Sequence, residues 1–413
     1  MVKGIFKEKN LFLFFCLLWI ASLVFSPFLL TMAMIGIFIM GIVGLVKKIR
    51  AKETSYIQWI KQFATDPLAL FVIFFLITLL NWFYSFDQVY WLERLRLRML
   101  FLFLPFSFYA LPKFSKKDIQ IILYFLMFLM VVTNIWIGIQ YFIHFDAYQN
   151  LISKGKSIPT PRNHIRFNLL LAISIISGIY LWIKSEVLKY NWERNLVKIA
   201  TIFLFIFIHI LAVRSGLVAL YFALFILLIS YIVQRRNYLY GLIGLIGLFL
   251  IPVIAIKTIP SIKSKLDYTM WDNHSSQEGN IKEHSDGERI TSQRIGLEIF
   301  KDNPIFGVGS GDLRNEVKMK YLSKFGDEIE PKMPHNQFIS ILAKNGILGF
   351  IAFMFAMLFP LFYKKNYRNI FILGFFIIML TSFLVENTIE NAIGAGIYMF
   401  FVIMILRQEK AAL

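Results

Sequence analysis

One cysteine in 413 residues is the scarcest resource of this sequence. Cys16 has no second cysteine to pair with, which excludes an intrachain disulfide and a thiolate-built metal site. It falls inside an apolar run and reads as packing. Charge is the next shortage: Asp, Glu, Lys and Arg make up 16% of the chain, where a soluble domain carries about 25%. With 58% hydrophobic residues and 44 Phe, that shortage excludes an ordinary soluble protein and points to a chain crossing a membrane many times. What charge there is leans positive, +18 in all. Such a balance raises nucleic acid as a partner. The basic residues, however, sit in short clusters between apolar runs, the pattern of membrane topology and not of a nucleic-acid-binding face.

A spanning helix needs about 20 apolar residues. The sequence predicts an all-α polytopic membrane protein with about twelve spans, near 11–27, 29–46, 68–85, 97–112, 119–143, 166–183, 197–213, 215–233, 238–256, 336–362, 369–385 and 390–406. The run 11–30 follows a basic stretch like a signal peptide. It lacks a small-residue cleavage site and more spans follow, so it reads as a retained helix. Loop charge orients the set. Lys3, Lys7 and Lys9, then Lys47, Lys48, Arg50 and Lys52, then Lys113, Lys116 and Lys117, Lys184, Lys189 and Arg194, Arg235 and Arg236, Lys364, Lys365 and Arg368, and finally Arg407 and Lys410 fall on one side. Twelve crossings put that side, with both termini, in the cytoplasm. The domains expected are 1–256 with spans one to nine, a large partly helical periplasmic loop at 257–334, and 335–413 with spans ten to twelve and a cytoplasmic C-terminus.

Within the long loop, 273–288 is polar and reads as mobile. From Arg289 the spacing predicts a helix with Ile290, Ile295, Leu297 and Phe300 on one apolar side. Gly307, Gly309 and Gly311 follow Pro304 and break the chain. Asp312 is placed to N-cap a further helix to about Phe325. The glycine run resembles a phosphate-binding loop only superficially: it lacks the Lys-Ser/Thr ending, and reads as a tight reversal. His274 and His284 have acidic neighbours but are too far apart in sequence for a metal motif, so no metal site is expected.

The residues that can carry chemistry lie on the non-cytoplasmic side. His335 stands at the mouth of the tenth span, where imidazole is the commonest general base. The alternative is a capping or interfacial histidine. Arg214 sits between two apolar runs on the side where loop charge disfavours it, and its guanidinium can grip a diphosphate in bidentate fashion. Alternatively it snorkels to the membrane edge. Arg294 either faces substrate or pairs with Glu298 on a solvated helix face. Arg289, Arg162, Arg166, Arg94 and Arg98 are further cations on this side, each with a competing reading as an interfacial anchor or ion-pair partner. One base and several fixed cations suggest chemistry on a phosphorylated lipid.

These residues together resemble the O-antigen ligase family, the WaaL-type members of the O-antigen ligase and polymerase (Wzy_C) superfamily. That family's pattern is His, then Asn, Ser or Gln, nine residues, Gly, two residues, then Gly, Thr or Tyr. Here it reads His335-Asn336, nine residues, Gly346-Ile347-Leu348-Gly349. Gln293-Arg294-Ile295-Gly296, running on to Asn303-Pro304-Ile305-Phe306-Gly307-Val308-Gly309, is similar to the stretch before that motif. Arg214 matches the family arginine, with Val218 where the family has leucine. The resemblance implies a GT-C-like glycosyltransferase of the Gram-negative inner membrane, with its active site periplasmic, needing no metal, nucleotide or other cofactor. It implies a glycan donor linked to undecaprenyl diphosphate and a lipid A-core acceptor, in lipopolysaccharide biosynthesis, with inversion at the anomeric carbon. His335 is the implied base, with Arg214 and Arg294 on the diphosphate. Arg289, Arg162, Arg166, Arg94, Arg98 and Asn336 are implied substrate contacts. An O-antigen polymerase, a protein oligosaccharyltransferase of the same superfamily and, from another class, a lipid-linked glycan transporter remain as alternatives. The transporter is disfavoured because ionisable residues cluster on one face instead of lining a path.

Overall fold

The computed structural model describes residues 2–277 and 285–409. The stretch expected to be mobile, 273–288, falls in part on 278–284, outside the described residues, as do His284, Lys410 and the side chains of Lys3, Lys7 and His274.

Among the described residues the chain is helical, with a lone bridge between Phe114 and Gln408 in place of any sheet. The first helices are α1 (Val2–Phe25) and α2 (Pro27–Arg50), joined at Ser26, whose side chain caps α2. Then come α3 (Tyr56–Ala64), α4 (Val72–Leu80), α5 (Gln88–Arg98) and α6 (Leu100–Ala110). They are followed by α7 (Lys116–Ile143), α8 (Phe145–Ser153), α9 (His164–Lys184), α10 (Asn191–Leu211), α11 (Arg214–Arg235) and α12 (Tyr238–Thr258). The region after α12 holds α13 (Pro260–Gln277), α14 (Ser285–Asp302) and α15 (Leu313–Phe325). The last helices are α16 (Gln337–Phe362), α17 (Ile370–Val385) and α18 (Ala392–Leu406).

Among the described residues eight helices are long and apolar enough to cross a membrane, or nine if α3 and the segment Pro67–Phe83, bent by 73°, make one span. α17 and α18 are apolar but shorter. The fourth expected span, 97–112, is divided at Met99 between polar α5 and an 11-residue α6. α12 shows how composition and setting agree: only 11% of its apolar window is covered by protein, so the rest is a surface fit for lipid.

The chain forms two compact units. One comprises 1–119, 288–363 and 386–413; the other comprises 120–287 and 364–385. In the second, α9 packs between α10, α11 and α17, and α8 packs on α13. In the first, the later half of the expected loop is a folded cap. Ile295 and Ile299 of α14 bury against Leu313, Val317 and Tyr321 of α15 and Ala343 of α16, each large side chain worth about 1.5–3 kcal/mol of burial. This corrects the expected apolar stripe. Ile290 and Leu297 are 60% and 39% exposed, because the face of α14 carrying Ser292 and Gly296 is occupied by the chain entering α16. A Cβ on Gly296 would meet Pro334 and Ile339 at under 3 Å.

α16 is broken inside its apolar run. Gly346 sits at φ 62°, a conformation that costs any other residue. The loop after α14 repairs the break. Val308 and Gly309 donate their amides to the carbonyls of Ala343 and Lys344 at 3.0 and 2.9 Å, and Ile347 donates to Pro304 at 2.8 Å. The glycine run therefore serves α16. Ser310 and Gly311 donate theirs to Asn81 Oδ1 and Ser85 Oγ, so four consecutive amides of this loop are engaged by protein and none of these is offered to a phosphate. α15 forms where expected, but Asp312 does not cap it by its side chain. Its carboxylate accepts from the amides of Phe86 and Asp87 instead, tying the loop to the start of α5.

Candidate functional site

The site is built where α14 meets the entry to α16. Asn336 ends an extended stretch, and its Oδ1 caps α16 by accepting from the amides of Phe338 and Ile339 at 2.9 and 3.1 Å. That fixes the residue before it. The amide of His335 donates to Ser292 Oγ at 3.2 Å, and its carbonyl accepts from Gln293 Nε2 at 3.2 Å. His335 is thus held by its backbone on both sides while 30% of its side chain remains exposed.

The imidazole faces a carboxylate. Glu386, just after α17, is 3% exposed. One of its oxygens lies 3.4 Å from His335 Nδ1, and the other accepts from Arg289 Nη2 at 3.0 Å. A single buried carboxylate therefore joins the histidine and an arginine. A carboxylate on Nδ1 selects the tautomer with its proton there and leaves Nε2 as an acceptor. Arg294 lies on the opposite, exposed side of α14. Glu298, the partner expected for it, pairs instead with Lys324.

A second charged group lies deeper. Arg98 is 7% exposed; it donates to the carbonyl of Ile389 at 3.0 Å and pairs with Glu390. Lys344, on α16 just before its break, reaches the same carboxylate at 2.9 Å, and Gln337 donates to it at 3.0 Å. Burial pushes the Glu390 carboxyl up, but Arg98 and Lys344 outweigh it and hold the group below the usual carboxylate range. This triad pins the connector 386–390 to α16 and α5. Arg98 is a structural partner here. Arg94, one turn away, pairs with Glu93 and lies over the ring of Tyr90, so the two do not present a common cationic face.

The remaining sequence candidates belong to the other unit. Arg214 opens α11 after a left-handed residue, Ala212. The preceding turn is braced by buried His209, which bonds the Phe205 carbonyl and the Tyr221 hydroxyl, each at 2.7 Å. Arg166 is buried in the first turn of α9 beside Asn163, and Arg162 is exposed before it.

Of the candidates, the structure brings together His335, Arg289 and Asn336. It adds Glu386, Glu390, Lys344 and Gln337, which sequence reasoning passed over. The available signal was the pair of acids in 386–390, a short connector between two apolar runs.

Fold and site together define an all-α polytopic membrane protein with a histidine–carboxylate–arginine site at the mouth of a broken helix. Residues 199–354 match the family model described as O-antigen ligase (Wzy_C). The matched stretch runs from before Arg214 to beyond Gly349 and stops short of Glu386. The chain is also similar to an uncharacterized protein of Haemophilus influenzae, 29% identical over 205 residues, 47% of this chain and 48% of that protein. It thus spans about half the length of the curated relative it matches.

Proposed function

We propose that this protein is an O-antigen ligase: a glycosyltransferase of the Gram-negative inner membrane that moves a glycan from undecaprenyl diphosphate to a sugar hydroxyl of lipid A-core on the periplasmic face. The observation that carries this reading is the Glu386 carboxylate shared between His335 and Arg289. It orients a base and leaves its outer nitrogen free.

In the proposed reaction the acceptor hydroxyl gives its proton to His335 Nε2 as its oxygen attacks the anomeric carbon. The bond from that carbon to the diphosphate oxygen breaks on the opposite face, undecaprenyl diphosphate departs, and the carbon is inverted. Glu386 is a positioning residue that also stabilises the imidazolium. By the family resemblance alone, Arg294 and Arg214 are proposed for the diphosphate, where positive charge would offset the charge developing on the leaving group; Arg294 lies on the exposed side of α14, away from His335. Arg162 and Arg166 are assigned to phosphates of donor or acceptor.

Purified protein mixed with an undecaprenyl-diphosphate-linked glycan and lipid A-core, with EDTA and without nucleotide, tests this. The expected product is a shifted lipid A-core band, absent with His335→Ala. Lengthened undecaprenyl-linked chains with unchanged lipid A-core would make the protein a polymerase. Neither product would remove the transferase reading.

A further inference from the structure

The far half of α16 points to a ligand that the transfer reaction does not use. α3 turns off the following segment by 73°. Its inner face is fixed: Trp59 stacks on Phe63, and both pack on Phe106 and Tyr109 beside Leu45 and Ile49. Its outer face is apolar and uncovered, with Tyr56, Ile57 and Ile60 each 58–70% exposed. A short helix with apolar residues outward and polar ones along one edge is built to lie in a membrane interface.

That polar edge forms an open pocket from Ser55, Gln58, Lys61, Gln62 and Thr65, bordered by Ile57. At Thr65 it joins a second, apolar groove of about 510 Å³ between Pro67–Leu76 and the second half of α16, floored by Ala69, Leu70, Ala352 and Phe359. This is the size of a small-molecule site. The combined shape is amphiphilic, polar at one end and a lipid-facing channel at the other. Its charge is positive. Lys47, Lys48 and Arg50 end α2, whose Leu45 and Ile49 pack with Trp59 of α3; Lys52 follows α2, and Lys61 is exposed on α3. They outnumber Glu8, which pairs with Lys47, and Glu53. The Asp66 carboxylate, which borders the groove, caps the Leu68 amide at 3.0 Å and lies 4.0 Å from Arg407, so it is neutralised from within. The groove lies beyond the break at Gly346, whereas His335 precedes the first half of the helix.

We infer that this end of the unit binds one anionic phospholipid, its phosphate against Lys61 and the polar edge of α3, and an acyl chain in the groove between α4 and α16. Binding by ordinary contact around the bundle would not distinguish headgroups; cations beside the open polar end do.

Titrating dioleoyl-phosphatidylglycerol or dioleoyl-phosphatidylcholine onto the full-length, delipidated protein, read by native mass spectrometry, tests the site without any transfer assay. One phosphatidylglycerol should be retained in preference to phosphatidylcholine. Lys61→Glu, at the headgroup, and Ala352→Trp, which fills the groove, should each weaken it about tenfold or more. Ala69→Phe serves as a second groove variant should Ala352→Trp melt early. Equal retention of the two lipids, or wild-type retention in Lys61→Glu, would overturn the inference. Loss in Lys61→Glu with normal retention in both groove variants would overturn it too, by reducing it to a surface charge contact.

Discussion

Glu386 decides what His335 can be. An interfacial histidine with water on both nitrogens exchanges tautomers freely. One with a 3%-exposed carboxylate on Nδ1 does not. Glu386→Gln keeps the shape but loses the charge, and the amide can present either its oxygen or its NH₂ to the ring. If the proposed transfer is right, the turnover rate should fall about 10²–10⁴-fold, the range general-base catalysis supplies, with little change in the donor concentration for half-maximal rate. A rise in that concentration with unchanged turnover would instead assign Glu386 to substrate binding. Arg289→Ala should do less than Glu386→Gln, since it leaves the carboxylate facing the ring. His335 was legible in the sequence because it opens a span and sits in a spaced motif. Glu386 was not, because it lies 51 positions away in a connector whose acids look like any loop's.

At the scale of elements, the central object is a helix that is broken and repaired. Hydrophobic periodicity reads 336–362 as one continuous span, since apolar residues flank Lys344 and Asn345 on both sides. What divides it is Gly346 at φ 62°, with Ile305 O only 2.2 Å from where a Cβ would stand. Gly346→Ala should therefore cost more than the roughly 1 kcal/mol of a left-handed alanine alone, seen as a lowered melting midpoint in detergent, and it should disturb Lys344 two residues away. A midpoint unchanged from wild type would mean that the two halves of α16 tolerate a straight helix. The charges behind the break make a second prediction. Arg98, Lys344 and Glu390 sum to one excess positive charge. Glu390→Gln leaves two buried cations without their anion and should cost about 3–5 kcal/mol. Lys344→Met leaves a balanced Arg98–Glu390 pair and should cost clearly less. The contribution also has a pH signature. A carboxyl held below its ordinary value stabilises the fold fully above its unfolded pKa, near 4.3, and that stability fades as pH falls further toward the folded value. The difference between wild type and Glu390→Gln should narrow between pH 5 and 3; a constant difference would contradict the pairing. Neither the break nor the triad was readable along the chain, because the partners of Glu390 lie 46 and 292 residues away.

For the molecule as a whole, the question is how often the chain crosses. Loop charge predicts twelve crossings, and seven of them separate the basic turn after α2 from the cap formed by α14 and α15. The weakest is the fourth, where α6 has 11 residues, about 16 Å of helix against a hydrocarbon core of ~30 Å. It reaches across only if α5 continues it, and α5 ends in an arginine that is buried against Glu390 instead of being left to lipid. The triad is thus what makes a polar first half acceptable. If α5 and α6 cross together, Glu53 and Asp327 lie on opposite faces; if they do not, six crossings bring the two to the same face. The chain is suited to the test, since Cys16 is fully buried and gives no background to a thiol reagent. Asp327→Cys should react with a membrane-impermeant maleimide in intact spheroplasts, and Glu53→Cys only after the membrane is opened. Labelling of both only after the membrane is opened would remove a crossing between them, place the His335 site on the cytoplasmic face, and with it undo the proposed periplasmic reaction.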